Sequence, residues 1–160
     1  MKKNKVDYIW ILKILIFTFC ISICFTLITN TAIPKVSIII GIIITILFIF
    51  IGVIFDMIGI AVATADEAKF HSMSAKKVKG SKMALKLKKN ADKVSSFCND
   101  VIGDICGIVS GATGTTIAIK MIEKYNFNNL ITTLIVMGLI SAFTIGGKAL
   151  EKGYAMKKSD

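Results

Sequence analysis

Aspartates occur within two of the most apolar stretches of this chain, where a membrane span should hold no charge. Asp56 lies within the apolar run 36–64, and Asp100 with Asp104 lies within the next run, 94–122. A charged side chain near the centre of a bilayer costs about 3 kcal/mol or more, so such residues usually face the interior of a helix bundle and serve a function there. These acids are therefore the first candidates for a functional site.

The chemistry that the acids predict is cation binding. Asp100 and Asp104 are four residues apart, so on a helix two like charges come close together in a low dielectric. Both stay ionised only with a cation between them, and otherwise one takes up a proton. Oxygen ligands without convergent imidazoles or thiolates, with Asn99 nearby, favour Mg²⁺, Ca²⁺ or Na⁺. A structural alternative stays open, in which the acids pair with Lys69 or Lys93, cap helix ends or remain protonated.

The elements that must position these residues are membrane helices. Hydrophobic residues make up 54% of the 160 residues and there is one proline, which predicts an all-α, polytopic membrane helix bundle. The second apolar run would be roughly 43 Å long as a helix, more than a ~30 Å core requires. It must tilt, project or break, with Gly52 and Gly59 as candidate break points. We predict one membrane domain over residues 1–160, with spans at about 8–29, 36–64, 94–122 and 129–146 and a basic cytoplasmic loop at 66–93.

The lysines predict the orientation. The net charge is +10, there is no arginine, and nine lysines lie between Lys69 and Lys93, with most others near the two termini. The positive-inside rule therefore predicts a multi-pass protein of the cell membrane with both termini in the cytoplasm. The absence of guanidinium groups argues against nucleic-acid recognition.

Helical periodicity predicts a seam of small residues and carboxylates on each of the two central spans. If the two seams face each other, the acids share one level in the cytoplasmic half of the bilayer and line a pocket open to the cytoplasm. The seam of the second span contains Gly52, Asp56, Gly59, Ala63 and Asp66. The seam of the third contains Asp100, Asp104, Gly107, Gly111, Gly114 and Ala118, beside a neighbouring stripe of Asn99, Gly103, Cys106, Ser110 and Thr113.

The basic loop is predicted to be a helical hairpin. Residues 67–77 are expected to continue the second helix, Gly80 to break it, and Ser81 to cap a short helix that ends at Lys89. Such a hairpin should lie on the inner leaflet and bind anionic lipid headgroups through Lys69–Lys93. The alternatives are a solvated cationic loop that only determines topology, or a docking site for an acidic partner.

Two motifs carry a family resemblance. The stretch Thr64–Ala68, a basic helical connector and then Phe97–Ile105 resemble the membrane domain of the cyclin M/CorC magnesium transporters, whose motifs read like S-G-S-E-T-A and G-N-N-L-V-N. The resemblance covers roughly residues 52–144. It implies a dimeric membrane domain that carries a cytoplasm-facing Mg²⁺ site, with Na⁺ as the candidate coupling ion. Since the chain ends at Asp160, we expect the nucleotide-sensing and C-terminal domains of typical members to be absent.

The resemblance also implies which residues form the site. By position, Asp66 matches the motif glutamate, Asn99 and Asp100 match the asparagine pair, and Asp104 lies one residue beyond the last asparagine. Together with the periodicity, it predicts a divalent-cation transporter-like protein whose metal ligands are Asp56, Asp66, Asn99, Asp100 and Asp104.

The sequence leaves a second function open besides transport. This alternative is a non-transporting membrane adaptor that docks anionic lipid or a partner through the lysine-rich loop. We expect no enzymatic activity, because the only histidine is His71 in that loop and no Ser–His pair exists.

Overall fold

The computed structural model describes the backbone of residues 8–158 and the side chains of residues 8–153. The predicted cytoplasmic ends at residues 1–7 and 159–160 lie outside this range. Residues 8–158 contain helices and no strand, which confirms the all-α class. The helices are α1 (Tyr8–Ala32), α2 (Ile38–Thr64), α3 (Glu67–Ala75), α4 (Ser81–Lys89), α5 (Ala91–Ser96), α6 (Asp104–Tyr125) and α7 (Asn129–Lys158), with a 3₁₀ turn at Ile33–Lys35 and a π-helical segment at Phe97–Gly103.

Four helical stretches are long and apolar enough to cross a membrane, as predicted. They comprise residues 8–35, 38–64, 91–125 and 129–153. The first, third and fourth exceed the predicted 8–29, 94–122 and 129–146, because hydropathy marks where apolar side chains stop and not where helical hydrogen bonding stops. In the third, α5, the π-helical segment and α6 follow one another without a gap.

Helix α2 is continuous through both predicted break points. Its 27 residues make a helix about 40 Å long. Ser37 caps its first turn, because the Ser37 Oγ accepts a hydrogen bond from the amide of Ile40 at 3.4 Å. It ends at Ala65, where the backbone becomes extended. Gly52 and Gly59 serve another purpose, close contact with the neighbouring helix, which is described below.

The hairpin of α3 and α4 forms, with two differences from the prediction. Helix α3 is a separate helix, because Asp66 caps it by accepting a hydrogen bond from the amide of Ala68 at 2.9 Å. Gly80, with φ of +88°, occupies the position before α4, while the Ser81 hydroxyl donates back to the Val78 carbonyl at 2.7 Å and does not cap the helix. Glycine suits this left-handed conformation because it has no Cβ.

Lysines fasten both ends of the bundle. Lys88 of α4 donates to the carbonyls of Ala63 at 2.7 Å and Val62 at 3.3 Å, so the hairpin is attached to the last turn of α2. We call this the hairpin end of the bundle. At the other end, Lys120 of α6 donates to the carbonyls of Ile33 and Val36 in the α1–α2 connection. Each ammonium binds carbonyl groups at a helix end or in a connection, where intrahelical hydrogen bonding is incomplete.

The bundle places α2 beside α6, α7 and the π-helical segment, while α1 packs on α6. Its tightest apolar core consists of Val101, Ile105 and Val109, against which side chains of α1 and α2 pack. Large apolar side chains on the outer faces remain exposed, among them Ile39 at 70% and Leu130 at 69%. Such faces suit contact with acyl chains, because in lipid no hydrophobic driving force buries apolar side chains within the protein.

Candidate functional site

An ion pair between a buried aspartate and a partly buried lysine joins α2 to α7. Asp56 is only 6% exposed, and its Oδ2 lies 2.6 Å from the Nζ atom of Lys148. Removing two charges from water costs several kcal/mol per ion, and close pairing offsets that cost. Helix α2 therefore retains a carboxylate between apolar turns because α7 supplies the opposite charge.

Glycine at position 103 makes room for the pair. A Cβ built on Gly103 would collide with Oδ1 of Asp56 and lie 3.3 Å from Nζ of Lys148. Only a residue without a side chain lets the π-helical segment approach α2 and α7 this closely. The ion pair is thus enclosed by three elements.

Several oxygens beside this pair have no partner. Among the described residues, Oδ1 of Asp56, Oδ1 of Asn99 and both carboxylate oxygens of Glu151 are buried without a hydrogen bond. Glu151 is 4% exposed and follows Lys148 by three residues, so it lies on the same face of α7, one turn nearer the hairpin end. Unpaired buried oxygens are costly, so each requires an explanation.

Asn99 lies on the same seam, also nearer the hairpin end. Its Oδ1 faces Gly59 so closely that a Cβ on this glycine would overlap it. Gly59 follows Asp56 by three residues, about 4.5 Å along α2. We call Asp56, Asn99, Lys148 and Glu151 the inner polar cluster. With both carboxylates ionised, the cluster has a formal charge of −1 and unused oxygen acceptors, which suit a cation.

The five residues predicted as metal ligands do not come together in one chain. Asp56 and Asn99 are directed into the bundle, whereas Asp100 and Asp104 are exposed on its surface. Asp66 is exposed beyond the span and caps α3, as the structural alternative foresaw for acids at helix ends. Within the described residues, no three His, Cys, Asp or Glu side chains form a group that could hold a metal ion.

The difference arises from the rotation of the third span. The part of the predicted seam nearest the hairpin end does not face the interior, because Asp104 is exposed and a Cβ on Gly107 would meet open space. The far part of the seam is buried, at Gly114 and Ala118, and the neighbouring stripe is buried too, with Ser110 and Thr113 fully enclosed. Between Asp100 and Asp104 the π-helical segment also interrupts the 3.6-residue period, because a π-helical turn holds more residues than an α-helical turn.

Lys148 and Glu151 are the cluster members that sequence reasoning missed. The lysine pattern assigns Lys148 only a part in topology, and no sequence pattern used above points to Glu151. A signal was available, because a basic and an acidic residue three positions apart follow the apolar run 129–146 and the pair Gly146–Gly147. When a helix continues past its apolar run, an acidic and a basic residue on one of its faces can direct their side chains into the bundle.

Comparison with known proteins gives one family. The family model described as the cyclin M transmembrane N-terminal domain matches residues 42–160. This range contains α2 from residue 42 onward, α3 to α7 and every residue of the inner polar cluster. No curated protein and no solved structure matches the chain.

Proposed function

Since the chain belongs to the cyclin M transmembrane N-terminal domain family, we propose that it transports a divalent cation of the Mg²⁺ type across the cell membrane. This domain is associated with membrane proteins that transport divalent cations. The transported ion is the substrate, and Na⁺ is the candidate coupling ion.

The inner polar cluster is the observation that carries the proposal. Carboxylate and amide oxygens without partners, buried within membrane spans, are an expensive feature that a merely structural protein has no reason to retain. They are also the hard ligands that Mg²⁺ takes in proteins. We propose Asp56, Asn99 and Glu151 as ligands, with water completing the coordination.

The other predicted ligands remain candidates for a site formed by two chains. Asp100 and Asp104 are exposed in a single chain, and carboxylates facing lipid would be costly. A second copy packed on this face would remove them from lipid, in line with the dimer that the family resemblance implies. Asp66 lies beyond the span, so a contribution of Asp66 to this site would come from outside the membrane.

The proposed direction of opening follows from depth and charge. Asp56 lies eight residues before the end of α2 at Thr64, about 12 Å along the helix. With the lysine-rich hairpin in the cytoplasm, as the positive-inside rule predicts, the cluster lies in the cytoplasmic half of the bilayer. Both termini are then cytoplasmic and the ion enters the site from that side.

A flux assay in proteoliposomes tests the proposal. We expect the parent protein to move Mg²⁺ in preference to Na⁺, and Asp56→Asn to reduce the rate by about tenfold or more, since a charged ligand is lost. The double variant Asp100→Asn/Asp104→Asn tests the site between two chains, and it should keep most of the rate if the inner polar cluster alone holds the ion. Loss in the double variant with retention in Asp56→Asn would move the site to the outer face, and a parent without ion flux would overturn the transport proposal.

The second candidate function is the membrane adaptor, which the surface of α4 favours. Lys88 holds this helix against α2, while Met83 at 64% and Leu87 at 41% remain exposed beside Lys82 and Lys86. Lysines around apolar side chains suit the inner leaflet, where anionic lipid contributes about 1 kcal/mol per lysine. A glutamine variant of the exposed lysines 82, 86 and 89 belongs in the same assay. The adaptor is favoured if the parent transports no ion and the glutamine variant no longer binds anionic vesicles.

A further inference from the structure

We infer that the ammonium of Lys148 is a built-in competitor of the transported ion. It occupies Asp56 while no divalent cation is bound, and it leaves the carboxylate when the cation arrives. The inference rests on the proposed function, because it assigns a role to Lys148 within the same site. It concerns how the site can both bind and release an ion.

The two members of the pair differ in freedom to move. The Asp56 side chain is 8% exposed and is enclosed by α2 and Gly103, whereas the Lys148 side chain is 27% exposed. A lysine ammonium is carried on a flexible four-carbon stem and can reach an interface while its stem stays in apolar surroundings. Lys148 lies two residues past the apolar run 129–146, about 3 Å along the helix, so its stem begins near the end of the apolar region. The carboxylate is therefore the fixed partner and the ammonium the mobile one.

Charge balance favours an exchange with a divalent ion. With Lys148 in place, the formal charges of Asp56, Glu151 and Lys148 sum to −1. With the ammonium withdrawn, the two carboxylates alone carry −2, which matches one divalent cation. In a low-dielectric site this neutrality is important, because uncompensated charge is penalised strongly there.

The order of groups along the bundle fits an approach from the hairpin end. The unpartnered oxygens of Glu151 and Asn99 lie one turn nearer that end than the pair of Asp56 and Lys148. A cation that enters there meets free acceptors first and the occupied carboxylate last. When the ion leaves, the return of Lys148 keeps Asp56 from being a buried charge without a partner. The lysine thus weakens ion binding enough to permit release.

Removing the ammonium tests the competition. Protein purified with a chelator is titrated with Mg²⁺ while thermal unfolding is followed. If Lys148 holds Asp56 more than nine-tenths of the time, Lys148→Gln should lower the half-saturating Mg²⁺ concentration by about tenfold. Lys148→Arg keeps a competing cation and should stay near the parent value, whereas Asp56→Asn should not respond to Mg²⁺. Equal or weaker Mg²⁺ binding by Lys148→Gln would overturn the inference.

A measurement on the unaltered chain covers the case in which Lys148→Gln does not fold. Amine-reactive labelling, read for each lysine by peptide mass spectrometry, reports whether the ammonium is released. Saturating Mg²⁺ should increase labelling of Lys148 severalfold and leave that of Lys152, which is exposed, unchanged. Unchanged or reduced labelling of Lys148 at saturating Mg²⁺ would also overturn the inference.

The two proposals fail separately in these experiments. A parent protein that neither binds nor transports a divalent cation refutes the proposed function, and the competition with it. A parent that binds Mg²⁺ through Asp56, with no effect of Lys148→Gln and no change in labelling, refutes the competition alone. In that case Lys148 is a permanent structural partner of Asp56.

Discussion

At the scale of single residues, the two buried carboxylates of the inner polar cluster differ in how they are compensated. Asp56 has an ammonium 2.6 Å from one of its oxygens, whereas in the described part of the chain neither Glu151 oxygen has an ion-pair partner or a well-aligned hydrogen bond, although the backbone of Met57 is close to it. A paired buried charge is costly to disrupt, and an unpaired one is costly to keep. The two residues should therefore respond in opposite ways when their charge is removed.

We expect Asp56→Asn to lower and Glu151→Gln to raise the stability of the protein in the absence of divalent cations. Asparagine leaves Lys148 without its counter-charge, which costs about 3 kcal/mol. Glutamine has the size of Glu151 without the charge that must be desolvated, a gain of about 1 kcal/mol. Thermal unfolding in detergent with a chelator measures both changes.

The same pair of variants also separates function from stability. With Mg²⁺ added, the parent should gain stability while Glu151→Gln gains less, because a proposed ligand is absent. This would be a residue kept for function at a cost in stability. An equal destabilisation by both substitutions would instead mean that Glu151 is a structural partner within the bundle.

At the scale of elements, glycines set the distance between α2 and the third span. A Cβ on Gly52 would lie 3.0 Å from the Cβ of Cys106, and one on Gly59 would lie 3.2 Å from the Cβ of Cys98 besides overlapping Asn99. Small residues at such a seam let two helix backbones approach closely in lipid, where close packing holds helices together. The seam was expected from the spacing of small residues along α2.

We expect Gly59→Ala to destabilise the bundle by about 1–3 kcal/mol, because the added methyl group forces α2 and the π-helical segment apart. Gly107→Ala is the matched control, since its Cβ would enter open space and alanine favours a helix. Thermal unfolding measures both. Similar midpoints for the two variants would mean that the contact between α2 and residues 98–99 is looser than described.

At the scale of the whole molecule, four spans bring the hairpin, the start of α1 and the end of α7 to the same end of the bundle. Successive spans alternate in direction. The α3–α4 hairpin and the end of α7 therefore lie at one end of the bundle, and the α6–α7 connection lies at the other end. Helices alone determine this arrangement of the ends, and the lysines predict which side is the cytoplasm.

We expect a green fluorescent protein fused after Asp160 to fluoresce in cells, and alkaline phosphatase at the same position to be inactive. Fusions that follow Asn126, between α6 and α7, should give the opposite pattern and serve as the control. The physical reason is the excess of lysine in the hairpin, which is retained on the cytoplasmic side. Active phosphatase at Asp160 would reverse the proposed orientation and the proposed side of ion entry.

The predictability of the fold and of the site differed for physical reasons. The four spans, the helical class and the hairpin followed from hydropathy and lysine placement, which act residue by residue along the chain. Helix ends were less predictable, because capping by Asp66 and Gly80 depends on local backbone conformation. The prediction that Asp56 lies inside the bundle is confirmed by its burial, but its partner Lys148 was not predicted.

By itself, the sequence determined that this chain is a helical membrane protein with acids placed at a cost inside its spans. Only the tertiary structure decided which acids share a site, because that depends on how each helix is rotated about its axis. The packing of the third span leaves Asp100 and Asp104 on the outside, while the continuation of α7 past its apolar run brings Lys148 and Glu151 to Asp56. Hydropathy reports depth in a bilayer, but the rotation of a helix is set by packing against its neighbours.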